Sequence, residues 1–120
     1  MKWMCVFLGG GVGSILRFWM GMWFAASSSL FPWATLCANA LAASIIAWLY
    51  AVGMKSENEL LWQLAAVGFC GGLSTFSTFS LESVQLMRSG NHSLAWTYVL
   101  ISVALSLAVF YGISHLFQRT

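Results

Sequence analysis

Four stretches of this chain are each apolar for long enough to cross a lipid bilayer, and little lies between them. A membrane-crossing helix needs about 20 mostly apolar residues. The first stretch runs from about Trp3 to Phe24 and the second from Trp33 to Gly53. The third runs from about Leu61 to Met87 and the fourth from Leu94 to Phe117. Ala25 to Pro32 is a small polar link, with the only proline placed to start the second helix. Met54 to Glu59 carries Lys55, Glu57 and Glu59; Arg88 to Ser93 carries Arg88, Gly90 and His92. These links leave no room for a separate soluble domain. The expected fold is all-α and integral to the membrane, one domain of four transmembrane helices over residues 1–120.

Composition closes off other classes. Hydrophobic residues make up 60% of the chain and charged residues 7%, against about 25% charged in a typical soluble domain. A single soluble core of this size cannot hide so much apolar surface. The net charge is +2 and the five basic residues are scattered, so no patch suits nucleic acid. Cys5, Cys37 and Cys70 match no zinc or redox spacing and sit inside apolar spans, where free cysteine behaves as a small hydrophobe. Lys2 followed by an apolar run superficially resembles a signal peptide. Arg17 interrupts that run and three more follow, which favours a retained first span. His92 and His115 lie near span ends without a nucleophile–base pattern, so no enzyme is expected.

The third stretch contains Gly71-Gly72-Leu73-Ser74-Thr75-Phe76-Ser77-Thr78-Phe79. Adjacent glycines and four hydroxyls are a poor choice for a lipid-facing helix. Hydrocarbon offers no water to backbone groups released when a helix breaks, so a break at that depth is buried in protein or lines a path for water or ions. The segment points toward a protein that handles a polar solute. Small residues recur at packing distance elsewhere. Gly9 and Gly13 form one small-xxx-small pair and Gly10 and Ser14 another, with Ala38, Ala42 and Ala43 in the second span and Gly68, Gly71 and Gly72 in the third. Such pairs let helix backbones approach closely in lipid. The glycine-rich run 9–13 is not a phosphate loop, since no Gly-Lys-Ser/Thr follows it.

Polar groups at membrane depth are costly and usually face a cavity or a partner. Arg17 is open to two readings: an anchor snorkelling to the interface, or a fixed positive charge that draws anions or ties down the fold. Asn39, with Thr35 one turn before it, can donate to an anion or bridge two helices. Tyr98, Ser102 and Ser106 recur every four residues and suggest one polar track along the fourth helix. Glu82 follows the broken segment, with a place expected at a span end near Arg88. Phe76 and Phe79 share a face. Phenylalanine in a span mostly touches lipid or other helices, yet its ring edge carries partial positive charge and can favour an anion.

An even number of spans puts both termini on one side, with Lys2, Lys55 and Arg119; Arg88 lies opposite and Arg17 leans that way. Orientation follows the lysine and arginine bias of short loops. A bias this small specifies it weakly and opens the way to insertion in both senses, with antiparallel pairing.

The combination resembles the small fluoride channels of the Fluc or CrcB family. Three stretches carry the likeness: Gly9 through Arg17, Thr35 through Asn39, and Gly68 through Ser80 followed by Glu82. The third is the most specific. The resemblance implies an antiparallel, dual-topology homodimer with two pores in the bacterial inner membrane, passively and selectively exporting cytoplasmic fluoride to relieve its toxicity. It implies that Phe76 and Phe79 turn ring edges to fluoride, that Asn39, Thr35, Tyr98, Ser102 and Ser106 line the pore, and that Arg17 lies near its vestibule. It also implies that backbone carbonyls of Gly71 and Ser74 hold a structural sodium ion at the dimer centre. Ser74 stands where threonine is commoner, Ser14 where alanine is usual, and Ala34 and Ala42 where glycines are common. A small multidrug-type transporter shares the size and hydrophobicity, but the first span carries no acid for proton exchange. A non-transporting assembly protein would not need the Tyr98–Ser106 stripe.

Overall fold

The third apolar stretch folds as two helical halves that meet in a break, and the other helices are arranged around it. The computed structural model describes residues 1–118, and all regular structure among them is helical. The elements are α1 (Lys2–Ala25), α2 (Trp33–Ala51), and the short α3 (Met54–Glu57) and α4 (Glu59–Trp62). α4 runs on through a π-helical segment, Gln63–Cys70, into α5 (Gly71–Leu73); α6 (Phe76–Arg88) and α7 (His92–Gln118) follow. Arg119, assigned above to the side of the termini, lies outside the described residues.

Among the described residues, four helical spans are long and apolar enough to cross a membrane: Lys2–Ala25, Trp33–Ala51, Glu59–Arg88 and His92–Phe117. The molecule is 49 Å in its longest dimension, enough for a bilayer of about 40–45 Å with its headgroups. It is a multi-pass membrane protein. The second helix ends at Ala51 rather than at Gly53, because Gly53 adopts a left-handed conformation (φ 71°) that turns the chain into the next link.

Glycine decides how α1 meets the third span. Gly9 and Gly13 are both buried. A methyl group on Gly9 would overlap the Leu64 carbonyl oxygen, and one on Gly13 the Phe69 carbonyl oxygen. From the other side, Gly68 lies against Val6 and Gly10, and Gly72 against Gly10. The two helices run parallel, backbone on backbone, as small-xxx-small pairs permit. Gly71 is a correction to the expected stripe: a methyl there meets nothing within 4 Å, so it faces away from α1. At one end Lys2 Nζ donates to Glu59 Oε1 at 2.6 Å, placing the start of α1 beside the start of the third span.

α2 packs chiefly on α7. One core cluster joins Leu36, Leu86, Ala95 and Tyr98; a second joins Ala38, Ala42, Cys70 and Leu73. The bundle is thin, 20 Å in its smallest dimension, or about two helix diameters. Much of its apolar surface is therefore outside, including Trp3, Phe7, Ile15 and Trp23 on α1 and Leu100 and Leu107 on α7.

Candidate functional site

The break begins where backbone hydrogen bonds stop following the helix. Ser74 still donates its N–H to the Cys70 carbonyl at 2.9 Å, but its own backbone is extended (φ −77°, ψ 154°). In a continuous helix the Thr75 N–H would go to the Gly71 carbonyl. It goes instead to Asn39 Oδ1 at 2.7 Å. Asn39 Nδ2 in turn donates to the Thr75 carbonyl at 3.3 Å. The Thr78 N–H would likewise go to the Ser74 carbonyl; it is taken by Thr75 Oγ1 at 3.1 Å, the N-cap of α6. Two side chains thus release the Gly71 and Ser74 carbonyls from their helical partners. The intervening Gly72 carbonyl accepts from Arg17 Nε at 3.1 Å, with Ser14 Oγ at 3.5 Å from the same oxygen.

Arg17 therefore turns inward and caps the C-terminal end of a half-helix, where a cation opposes the helix dipole. Of the readings of Arg17, this contact is the one that ties down the fold, through Nε. Asn39 likewise bridges two helices. An amide has two N–H donors, so one remains for another partner.

Two cavities flank the break. The smaller, about 490 Å³, is lined by Asn39 and Ala42 of α2, by Ser74, Thr75, Phe76 and Phe79 of the third span, and by Ser102 and Ser106 of α7. Its lining contains no charged side chain. The Phe76 and Phe79 rings lie 5.7 Å apart at 40°, and Phe76 is 79% exposed. Ser102 is buried, and its Oγ has no hydrogen-bond partner among the described residues. Such a group costs about 1–3 kcal/mol and calls for a polar occupant nearby. The larger cavity, about 840 Å³, is lined by Arg17, Thr35, Thr78 and Glu82 among others.

Between these cavities lies a cluster that sequence reasoning missed. Glu82 Oε1 accepts from Thr35 Oγ1 at 2.8 Å, and Glu82 Oε2 accepts from the Tyr98 hydroxyl at 2.7 Å. Glu82 is not at a span end beside Arg88, as expected, but joins α2, α6 and α7. Its isolation in an otherwise acid-free part of the chain was the available signal. Tyr98 also leaves the expected track. Its ring packs 5.2 Å from Phe79 and its hydroxyl faces Glu82, while Ser102 and Ser106 face the smaller cavity. Steps of four residues overshoot each helical turn by about 40°, so the stripe winds around α7. Thr35 and Asn39 separate similarly, Thr35 lining the larger cavity and Asn39 the smaller.

The chain is similar to known proteins along nearly all of its length. The family described as "CrcB-like protein, Camphor Resistance (CrcB)" matches residues 4–113. A relative from Phocaeicola vulgatus named fluoride-specific ion channel FluC is 39% identical over 111 residues, covering 90% of this chain and 92% of the relative. Proteins of the same name from Klebsiella pneumoniae and Ruegeria pomeroyi are each 42% identical, covering 87% and 89% of this chain and 84% and 82% of their own.

Proposed function

The chain belongs to the CrcB-like family, a family of ion channels and not of enzymes, and on that premise we propose that it is a passive, fluoride-selective channel that exports cytoplasmic fluoride. The observation that carries the reading is the smaller cavity, where Asn39, Ser102, Ser106 and the phenylalanine pair converge without a charged side chain. Fluoride is small and strongly hydrated, so a narrow path must replace its water with donors. Conduction also requires that binding be weak enough for release. A neutral amide, hydroxyls and aromatic ring edges meet both demands, where a buried lysine would hold the ion. Fluoride crosses lipid as its neutral acid from acidic surroundings and loses its proton in a near-neutral cytoplasm. A passive path then lets the trapped ion leave, helped by a negative interior.

The assembly is an antiparallel homodimer of dual topology in the bacterial inner membrane, with two pores. In one chain Phe76 is 79% exposed and the pathway has a wall on one side only. A second copy supplies the other wall. The carbonyls of Gly71 and Ser74, released by the break, are suited to a hard cation such as sodium, for which oxygen ligands replace water. Two carbonyls are too few for one ion, and the same pair from the second copy completes the set. The structural sodium would then join the copies at the dimer centre without entering the permeation step.

Liposomes containing the purified protein test this reading directly. We expect fluoride release with little chloride release. No fluoride release would sink the channel reading; equal chloride release would remove only selectivity.

A further inference from the structure

Asn39 does more than line a cavity. Its carboxamide takes both backbone polar groups of a single residue, receiving the Thr75 N–H at 2.7 Å and donating to the Thr75 carbonyl at 3.3 Å. It reaches across from α2, in the same stretch of helix that buries Ala38 and Ala42 against Cys70 and Leu73. The amide is thereby fixed in place by packing on either side of it. With Asn39 absent, the Thr75 N–H has an unused acceptor one helical turn back, the Gly71 carbonyl. In hydrocarbon an unsatisfied backbone group costs several kcal/mol, so the chain would take that bond. Rejoining α5 to α6 would re-aim Phe76, the first residue of α6, and close the Gly71 carbonyl to any ligand.

We propose that Asn39 is a positioning residue that holds the third span open, so that one side chain keeps the Gly71 carbonyl free for a cation and sets the direction of the Phe76–Phe79 pair. This inference rests on the cation reading above only for the first of those two effects. Asparagine suits the task because it accepts and donates at once. Aspartate in its ionised form would keep the acceptor and lose the donor, which separates the two bonds.

The test compares wild type with Asn39→Ala and Asn39→Asp by two measurements. The first is the crystal structure of each variant. Asn39→Ala is expected to show the Thr75 N–H on the Gly71 carbonyl and a rejoined helix, whereas Asn39→Asp keeps the break. A break that persists unchanged in Asn39→Ala overturns the proposal. The second is fluoride efflux from liposomes as sodium replaces N-methyl-D-glucamine. For Asn39→Ala the half-maximal sodium concentration should rise about tenfold or more, the equivalent of one lost hydrogen bond. Asn39→Asp should slow efflux without abolishing it, through the negative charge placed in the cavity, yet keep its half-maximal sodium within about twofold of wild type. An Asn39→Ala protein with slowed efflux but a wild-type sodium response would mean that the amide serves only the anion, and the proposal falls. If wild-type efflux is indifferent to sodium, the cation reading falls instead, and the variant structures alone decide whether Asn39 holds the break. Should Asn39→Ala fail to fold, Asn39→Asp still decides: a rejoined helix there, with its acceptor retained, refutes the clamp.

Discussion

Single side chains at this site carry separable jobs, and Ser102 is the clearest. Its hydroxyl is buried without a partner among the described residues, so Ser102→Ala removes an unsatisfied group and leaves folding unharmed. Stability of the purified protein, read as a thermal unfolding midpoint, should stay level or rise, by up to the roughly 1–3 kcal/mol that an unsatisfied buried group costs. Fluoride efflux should fall. If efflux is unaffected, the hydroxyl serves no permeating ion. Phe76→Ile and Phe79→Ile make a second case, since they keep bulk and remove the ring edge. An aromatic edge contributes about 0.5–1.5 kcal/mol beyond its area, so each change should slow efflux by up to about tenfold. Phe79→Ile should also disturb Tyr98, whose ring it touches; Phe76→Ile should not. Efflux at the wild-type rate in both variants would leave the pair as lipid-facing bulk.

Between elements, the decisive contact is α1 against the π-helical segment and α5. It depends on glycines whose missing side chains are occupied by backbone. Gly9→Ala and Gly13→Ala place a methyl where a carbonyl oxygen stands, and the parallel helices must separate. Overpacking of this kind costs about 1–3 kcal/mol or more. Gly11→Ala provides the control, because a methyl there meets nothing within 4 Å. Yield of folded protein in detergent, followed by size-exclusion chromatography, should drop for the first two and hold for the third. Equal yields for all three would mean that the close approach is not needed. The same contact gives Ser14 a partner: its hydroxyl approaches the Gly72 carbonyl beside Arg17, adding a donor at the cut end of a helix.

At the scale of the whole molecule, the flat bundle and its exposed apolar faces require either lipid or a second copy. For the proposed second copy, orientation follows the charge bias of the short links. Lys2 and Lys55 stand at one end and Arg88 at the other, a difference too small to fix orientation firmly. Paired cytoplasmic and periplasmic reporters on the C-terminus should both give signal. Signal from one side alone would rule out dual insertion. Two or three arginines added to the Met54–Glu57 link should drive insertion to one sense, and fluoride efflux should then fall with the loss of antiparallel pairs.

Much of this protein is written in its sequence. Four apolar runs dictate four spans, because a bilayer accepts only chains that satisfy their own backbone. The glycine–hydroxyl run in the third dictates a break, and small residues in α1 dictate close packing. Those are local or periodic signals, and a linear reading recovers them. What tertiary structure decided is which groups meet at the break. Nothing in the spacing of Asn39 and Thr75, 36 residues apart, says that one amide closes on both backbone groups of the other. Nor does the sequence place Glu82 between Thr35 and Tyr98 or turn Arg17 inward to Gly72. Each depends on how far one helix is rotated against its neighbour. Backbone-on-backbone glycine contacts set that rotation for α1 against the third span, and hydrophobic periodicity does not encode it.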